Sequence, residues 1–183
     1  MQARGPLMME HRLIERMLGV VGSKLEQVRT WGLIDPHFVD IVIDFILVYA
    51  DRTHHGKEEE ILFKNLEKKN MSAEDRRVMN ELVEEHALGR KTTRIIEEAN
   101  KRYRNGDALA LDDIVLNLNV LVNFYPRHIE KEDKVFFPAA LAYFSNEDDQ
   151  AMLADFWEFD RRMIHEKYKS VVEWCINFEG RTA

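Results

Sequence analysis

The sequence predicts an all-α fold, an up-down-up-down antiparallel four-helix bundle with an additional C-terminal fifth helix. Apolar residues recur at i, i+3, i+4 and i+7 along five segments. The breaks between these segments are short and carry cap residues, and nowhere does the chain alternate as a strand would. Four prolines and eight glycines in 183 residues are few, which favours long helices over many short strands.

The first helix is expected from about Pro6 to Trp31, stopping at Gly32, with an apolar stripe of Leu7, Ile14, Leu18, Val21 and Leu25. The second opens at Asp35-Pro36, an N-cap with proline in the first turn, and runs to about Lys69. The third opens at Ser72, with Asp75 three residues on, and ends near Asn105-Gly106. The fourth starts between about Asp107 and Leu111 and runs to about Phe144, with a stripe of Leu118, Leu121, Phe124, Val135 and Phe136. The fifth opens at Ser145, with Asp148 three residues on, and ends near Gly180. Its aromatic set Phe156, Trp157, Phe159 and Trp174 is read as the face that packs along the bundle. Connections of a few residues make neighbouring helices antiparallel. The chain reads as one domain over residues 1–183, with the bundle at about 6–144 and the extra helix at about 145–180.

Composition narrows the function. Hydrophobic residues at 45% and charged residues at 32% describe a globular chain with a sizeable core, not a disordered one. A net charge of -7 argues against nucleic acid as a partner, and the short basic run Arg90–Arg94 is read as a solvated helix face. No apolar run approaches the ~18 residues of a membrane span. The opening MQARGPLMMEHR does not read as a signal peptide, so neither export nor a membrane is expected. Cys175 is the single cysteine, which excludes an intrachain disulfide and a thiolate cluster and fits a cytoplasmic setting.

Four histidines interrupt the apolar stripes, one per helix: His11, His54, His86 and His128. A buried polar group costs several kcal/mol unless it is paired. One such histidine finds a local partner; four on four helices call for a common one. Counted from the helix ends at ~1.5 Å per residue, all four fall in one layer to within about a turn.

Carboxylates accompany them. His11–Glu15, His54–Glu58, His55–Glu59 and His128–Glu132 all have the i, i+4 spacing that puts two side chains on one helix face, more often than chance supplies. The strings HHGKEEEILF (54–63) and HIEKEDKVFF (128–137) also match each other, an internal repeat centred on these pairs. Imidazole with carboxylate and no thiolate suits iron, manganese or zinc, and two carboxylates on facing helices are able to bridge two cations. The set that carries this reading is His11, His54, Glu58, His86, His128 and Glu132, as metal ligands. Glu59, Glu60 and Glu130 are read as solvated.

These strings resemble the hemerythrin-like, or HHE, cation-binding domain. EHRLIERML, with His11, looks like its first motif. HHGKEEEILF, with His54 and Glu58, looks like its second. EEHALGR, with His86, looks like its third, and HIEKEDKVFFP, with His128 and Glu132, its fourth; together they cover roughly residues 6–143. The resemblance implies a non-haem pair of iron ions, oxo- or hydroxo-bridged and spanned by the two carboxylates. It also implies roles in handling oxygen, nitric oxide, peroxide or iron. Two departures stand out against oxygen-carrying members. The third helix lacks a second histidine, since Leu82 and Arg90 flank His86 at four residues, and the fourth pairs His128 with Glu132 while Asp133 holds the five-residue position. A water, Glu15, Tyr49, Tyr125 or Asp133 is left to fill the vacancy.

The register at the His54-His55 doublet has two readings. His54 is preferred because its helical line carries Leu47 and Ala50, whereas the line through His55 carries Asp51 and Arg52; His55 with Glu59 is the fallback. His37 is read as a surface residue, His165 as structural or exposed, and Pro126 as a kink beside the site. Three functions follow. The first is an iron-binding protein that senses or handles oxygen, nitric oxide or iron, with zinc or manganese as substitutes. The second is an enzyme reducing nitric oxide or peroxide, or supporting iron–sulfur centre repair. The third is a metal-free helical interaction domain. A homodimer is left open.

Overall fold

The computed structural model describes residues 3–179, with side-chain environments up to His165 and at Lys167. Five helices follow one another: α1 (Arg4–Trp31), α2 (residues 36–67), α3 (Ala73–Arg104), α4 (residues 110–141) and α5 (Asn146–Glu179). No strand occurs among the described residues, and none of these helices is long and apolar enough to cross a membrane.

The breaks are made by the residues that announce them. Gly32 takes a left-handed φ of 68° and its N–H reaches the Val28 carbonyl at 2.8 Å, which closes α1. Asp35 caps α2 by accepting from the His37 N–H, and Pro36 stands in the first turn. Ser72 accepts from the Asp75 N–H to open α3. Ser145 and Asp148 cap α5 reciprocally, each backbone N–H donating to the other's side chain.

Two of the helices are not uniform. In α2, the stretches Phe45–His55 and Glu58–Phe63 are π-helical, between α-helical ends at Pro36–Asp44 and Lys64–Glu67. In α4 a π segment, Glu132–Phe136, separates Ala110–Lys131 from Phe137–Leu141. Both glutamates of the repeated HxxxE strings therefore begin a widened turn. π turns are uncommon and recur at functional sites, because the extra residue per turn re-aims side chains. One consequence corrects the expected stripe of α4: Val135, four residues past Lys131, is rotated into solvent at 55% exposure. Pro126 lies within Ala110–Lys131 without ending it.

The interior has two apolar clusters with a polar layer between them. One gathers Ile14, Leu18, Ile46, Ile96, Leu118 and Leu121 toward the α1–α2 turn. The other gathers Leu7, Phe63, Leu82, Phe136, Phe137 and Phe156 at the opposite end. α5 lies against the π-helical stretches of α2 and contributes Phe156 and Phe159 to the second cluster. Trp157, expected on the same face, is instead 68% exposed, since it is one helical step from Phe156 on a narrow packing stripe. Trp174 lies outside the residues whose side chains are described. His37 and His165 are exposed.

Candidate metal centre

The polar layer brings together all six residues singled out from the sequence, and a seventh. His11, His54, Glu58, His86, His128 and Glu132 are each at most 2% exposed, and so is His55. The doublet is thus not a choice between two registers: His54 and His55 both point inward. In an ideal α-helix adjacent residues stand ~100° apart, so both face inward only where the bundle encloses a wide sector of the helix, as it does at His128 and Ile129 in α4. His55 closes the π-helical stretch Phe45–His55 and is buried together with His54.

The ligating atoms fall into two groups, each within 4.8 Å mutual distance: His55, His86 and His128 in one, His11, His54, Glu58 and Glu132 in the other. The carboxylates span both. One Glu58 oxygen lies 3.6 Å from His54 Nε2 and the other 3.4 Å from His86 Nε2. One Glu132 oxygen lies 3.2 Å from His11 Nε2, and the other 3.3 Å from His128 Nε2 and 3.6 Å from His86 Nε2. His55 and His86 stack with centroids 3.8 Å apart, and His11 and His54 meet edge-on at 4.5 Å. Phe137 stacks on His11 and Phe63 on His86 from one side, Phe124 on His128 from the other, so aromatic rings close the layer.

Every imidazole is oriented by a carboxylate. His11 Nδ1 lies 2.8 Å from Asp133, His54 Nδ1 2.9 Å from Glu10, His55 Nδ1 3.4 Å from Asp51, His86 Nδ1 2.7 Å from Glu59 and His128 Nδ1 2.8 Å from Glu85. A carboxylate only accepts, so Nδ1 carries a proton, and a ring that is neutral presents an Nε2 lone pair to the interior. Each orienting carboxylate in turn meets a cation: Asp133 meets Arg12, Glu10 meets Lys57, Glu85 meets Lys131, and both Asp51 and Glu59 meet Arg90.

This network repeats. In each half, the glutamate before the first helix's histidine (Glu10, Glu85) orients the histidine of the next helix (His54, His128), and a lysine three residues past that histidine (Lys57, Lys131) clamps it. The acid after each HxxxE glutamate crosses to the other half: Glu59 to His86, Asp133 to His11. The two halves differ at one interior ligand position, where His55 in the first corresponds to Ile129 in the second. These orienting residues were not read from the sequence, and Glu59 was read as solvated; the signal available was the Glu-His dipeptide in both halves. The residues expected to fill a vacancy do not enter the layer as ligands. Glu15 pairs with Arg12 on the surface, Tyr49 stacks on Phe45 outside it, and Asp133 serves His11. Tyr125 is buried beside His55 with its hydroxyl directed to Gly89.

The electrostatics are those of a site awaiting positive charge. Burial and the neighbouring Glu132 push Glu58 well above the usual carboxylate range. Burial acts the same way on Glu132, but His128, His11 and His86 outweigh it and hold that carboxylate low. Burial would lower His11; Asp133 and Glu132 prevail and raise it to about 9. Burial lowers His54 to about 4 and, with His86 alongside, holds His55 well below the usual imidazole range. The Nε2 atoms of all five histidines and all four oxygens of Glu58 and Glu132 are buried without a hydrogen-bond partner. Orphaned buried polar atoms are rare because each costs about 1–3 kcal/mol, and nine around one point mark a place for cations.

A family model described as the hemerythrin HHE cation-binding domain matches residues 5–140. Comparisons with curated proteins and with solved structures gave no match.

Proposed function

Because the chain belongs to the hemerythrin HHE cation-binding family and so binds metal cations, we propose that its site holds two iron ions. His55, His86 and His128 serve one, His11 and His54 serve the other, and Glu58 and Glu132 bridge them. The reading extends to a protein that senses or handles oxygen, nitric oxide or iron. The observation that carries it is the convergence of five imidazole Nε2 atoms and four carboxylate oxygens, all buried and all without partners. The donor set of nitrogen and oxygen without sulfur suits iron, with manganese or zinc able to occupy the same ligands. Five Nδ1–carboxylate pairs hold the rings in the tautomer that a metal needs.

Iron held by these residues would supply a reversible change of oxidation state and the capacity to bind a small ligand. The chain's part is to hold the imidazoles, keep bulk water out with Phe63, Phe124 and Phe137, and supply compensating negative charge. The inequality between three and two histidines also favours a second reading, an enzyme reducing nitric oxide or peroxide or supporting iron–sulfur centre repair, because an open position permits chemistry.

Metal analysis of the purified protein tests the site: two ions per chain are expected, with loss of both in the His54→Ala, His128→Ala double variant. Under one ion per chain, unaffected by that substitution, overturns the reading. Optical spectra of the iron form then separate the functions. A band that appears with oxygen and reverses on its removal marks binding, while multiple turnovers of peroxide or nitric oxide mark catalysis.

A further inference from the structure

We propose that Asp160 of α5, acting through Lys57 and Glu10, is a positioning residue for His54, so that the fifth helix tunes one half of the metal centre. The proposal rests on the reading of His54 as a metal ligand through Nε2.

Lys57 is fully buried, and its ammonium is hydrogen-bonded to Glu10 and, at 2.6 Å, to Asp160. The other Glu10 oxygen lies 2.9 Å from His54 Nδ1. Four side chains from α5, α2, α1 and α2 thus form one continuous line ending at the ring. A buried ammonium is costly unless paired, and an apolar side chain would fill the same space against Phe156. A lysine here is explained by what it does to Glu10.

The internal repeat supplies the comparison. Lys131 bonds Glu85 at 2.6 Å, and Glu85 reaches His128 Nδ1 at 2.8 Å, the same arrangement on the other half. Lys131 is 27% exposed, its further neighbour is Glu81 at 3.8 Å, and no described α5 residue pairs with it. In the half that carries His54 the second carboxylate is a close hydrogen-bond partner supplied by α5, whereas in the other half it is Glu81 of α3, 3.8 Å away.

The direction follows from charge sharing. Asp160 draws part of the Lys57 ammonium away from Glu10, which leaves Glu10 a stronger acceptor for the His54 N–H and His54 a more electron-rich ligand. Removing Asp160 concentrates the ammonium on Glu10 and weakens that pull. Removing the ammonium strengthens it. Asp160→Asn and Lys57→Met therefore act on His54 in opposite senses.

Cobalt(II) is the probe. In the cobalt-loaded full chain, each metal-bound imidazole gives an exchangeable N–H resonance shifted by the paramagnetic ion, and five are expected. Asp160→Asn moves one of them, Lys57→Met moves the same one the other way, and Lys131→Met moves a different one. Arg161→Ala, on the exposed side of α5, moves none. Asp160→Asn also weakens the affinity of one cobalt ion about threefold to tenfold, less than the ~10–100-fold typical when the direct partner of a ligating group is removed. If Lys57→Met does not fold, Asp160→Asn must still move a line that Lys131→Met leaves in place. A role confined to anchoring α5 would lower thermal stability and leave the five lines unmoved, or shift all together; either result overturns the proposal, as does a same-sense shift in both variants. A wild type without shifted N–H lines overturns the metal reading and this inference together.

Discussion

His55 lies ring on ring with His86, centroids 3.8 Å apart and planes 11° from parallel, while His128 meets both edge-on. Two imidazoles so close, each with its Nδ1 on a carboxylate, leave their Nε2 atoms pointing to one place. The second half of the chain has Ile129 where the first has His55, so His55→Ile restores the symmetry of the two halves. The expected result is a protein that folds, keeps the ion held by His11 and His54, and binds the other at least about 10–100-fold more weakly, the range for loss of even an outer partner. Stepwise titration with iron(II) under nitrogen checks it. Two unchanged binding steps would remove His55 from the site.

The helices and six of the seven inward-facing histidines and glutamates were legible because an α-helical period maps apolar residues and their polar interruptions onto one face, and short capped turns fix the heights. His55 was not legible as buried at the same time as His54. At ~3.6 residues per turn its line runs through Asp51 and Arg52, which reads as a solvent face, whereas the bundle encloses a sector wide enough to bury both members of the doublet. Val135 departs from its expected stripe within the π segment Glu132–Phe136. Asp51 is polar for a reason that period alone misses, since it orients His55. The orienting acids were hidden differently. Glu10, Glu59 and Glu85 stand at the edge of the apolar stripe, where partly exposed glutamates are ordinary, and only the match between the two halves sets them apart.

In the metal-free protein His11 is held at about 9, above its ordinary 6.5, because Asp133 and Glu132 overcome burial. A group whose folded value is raised contributes stability that is complete below its unfolded value and disappears as pH rises through the folded one. The stability difference between metal-free wild type and His11→Gln is therefore expected to favour wild type most below pH 6.5 and to shrink between 6.5 and about 9. Urea unfolding midpoints across that range measure it, and a difference independent of pH contradicts it. The same proton must leave when a metal binds Nε2, so zinc uptake at pH 7 should release protons, seen as a dependence of the binding enthalpy on buffer ionisation.

Metal should also hold the fold together. Nine orphaned atoms at the centre of four helices destabilise the metal-free chain, and an ion that satisfies them binds the folded state only. At a free concentration one hundred times its dissociation constant, each ion adds about 2.7 kcal/mol. The melting temperature is expected to rise with zinc concentration in wild type and to stay flat in the His54→Ala, His128→Ala double variant. Equal shifts in both would place the stabilising ion elsewhere.

Gly56 marks where α5 docks on the centre. A methyl group at this position would come within 2.7 Å of Phe159 Cζ and 3.1 Å of Cε1, closer than carbon atoms tolerate. Phe159 is 5% exposed, with Arg162 over its outer face, so the ring has little freedom to retreat. Gly56→Ala therefore overpacks the contact between α2 and α5 and is expected to cost about 1–3 kcal/mol in urea unfolding of the metal-free protein. The cost divides in a way that identifies its origin. If the methyl acts by pushing α5 away, truncating the ring in Phe159→Leu makes room, and the two substitutions together should destabilise by less than the sum of each alone. Strictly additive losses would mean that the methyl does not act through the approach of Phe159, since Gly56 has ordinary helical backbone angles and needs no glycine on that account.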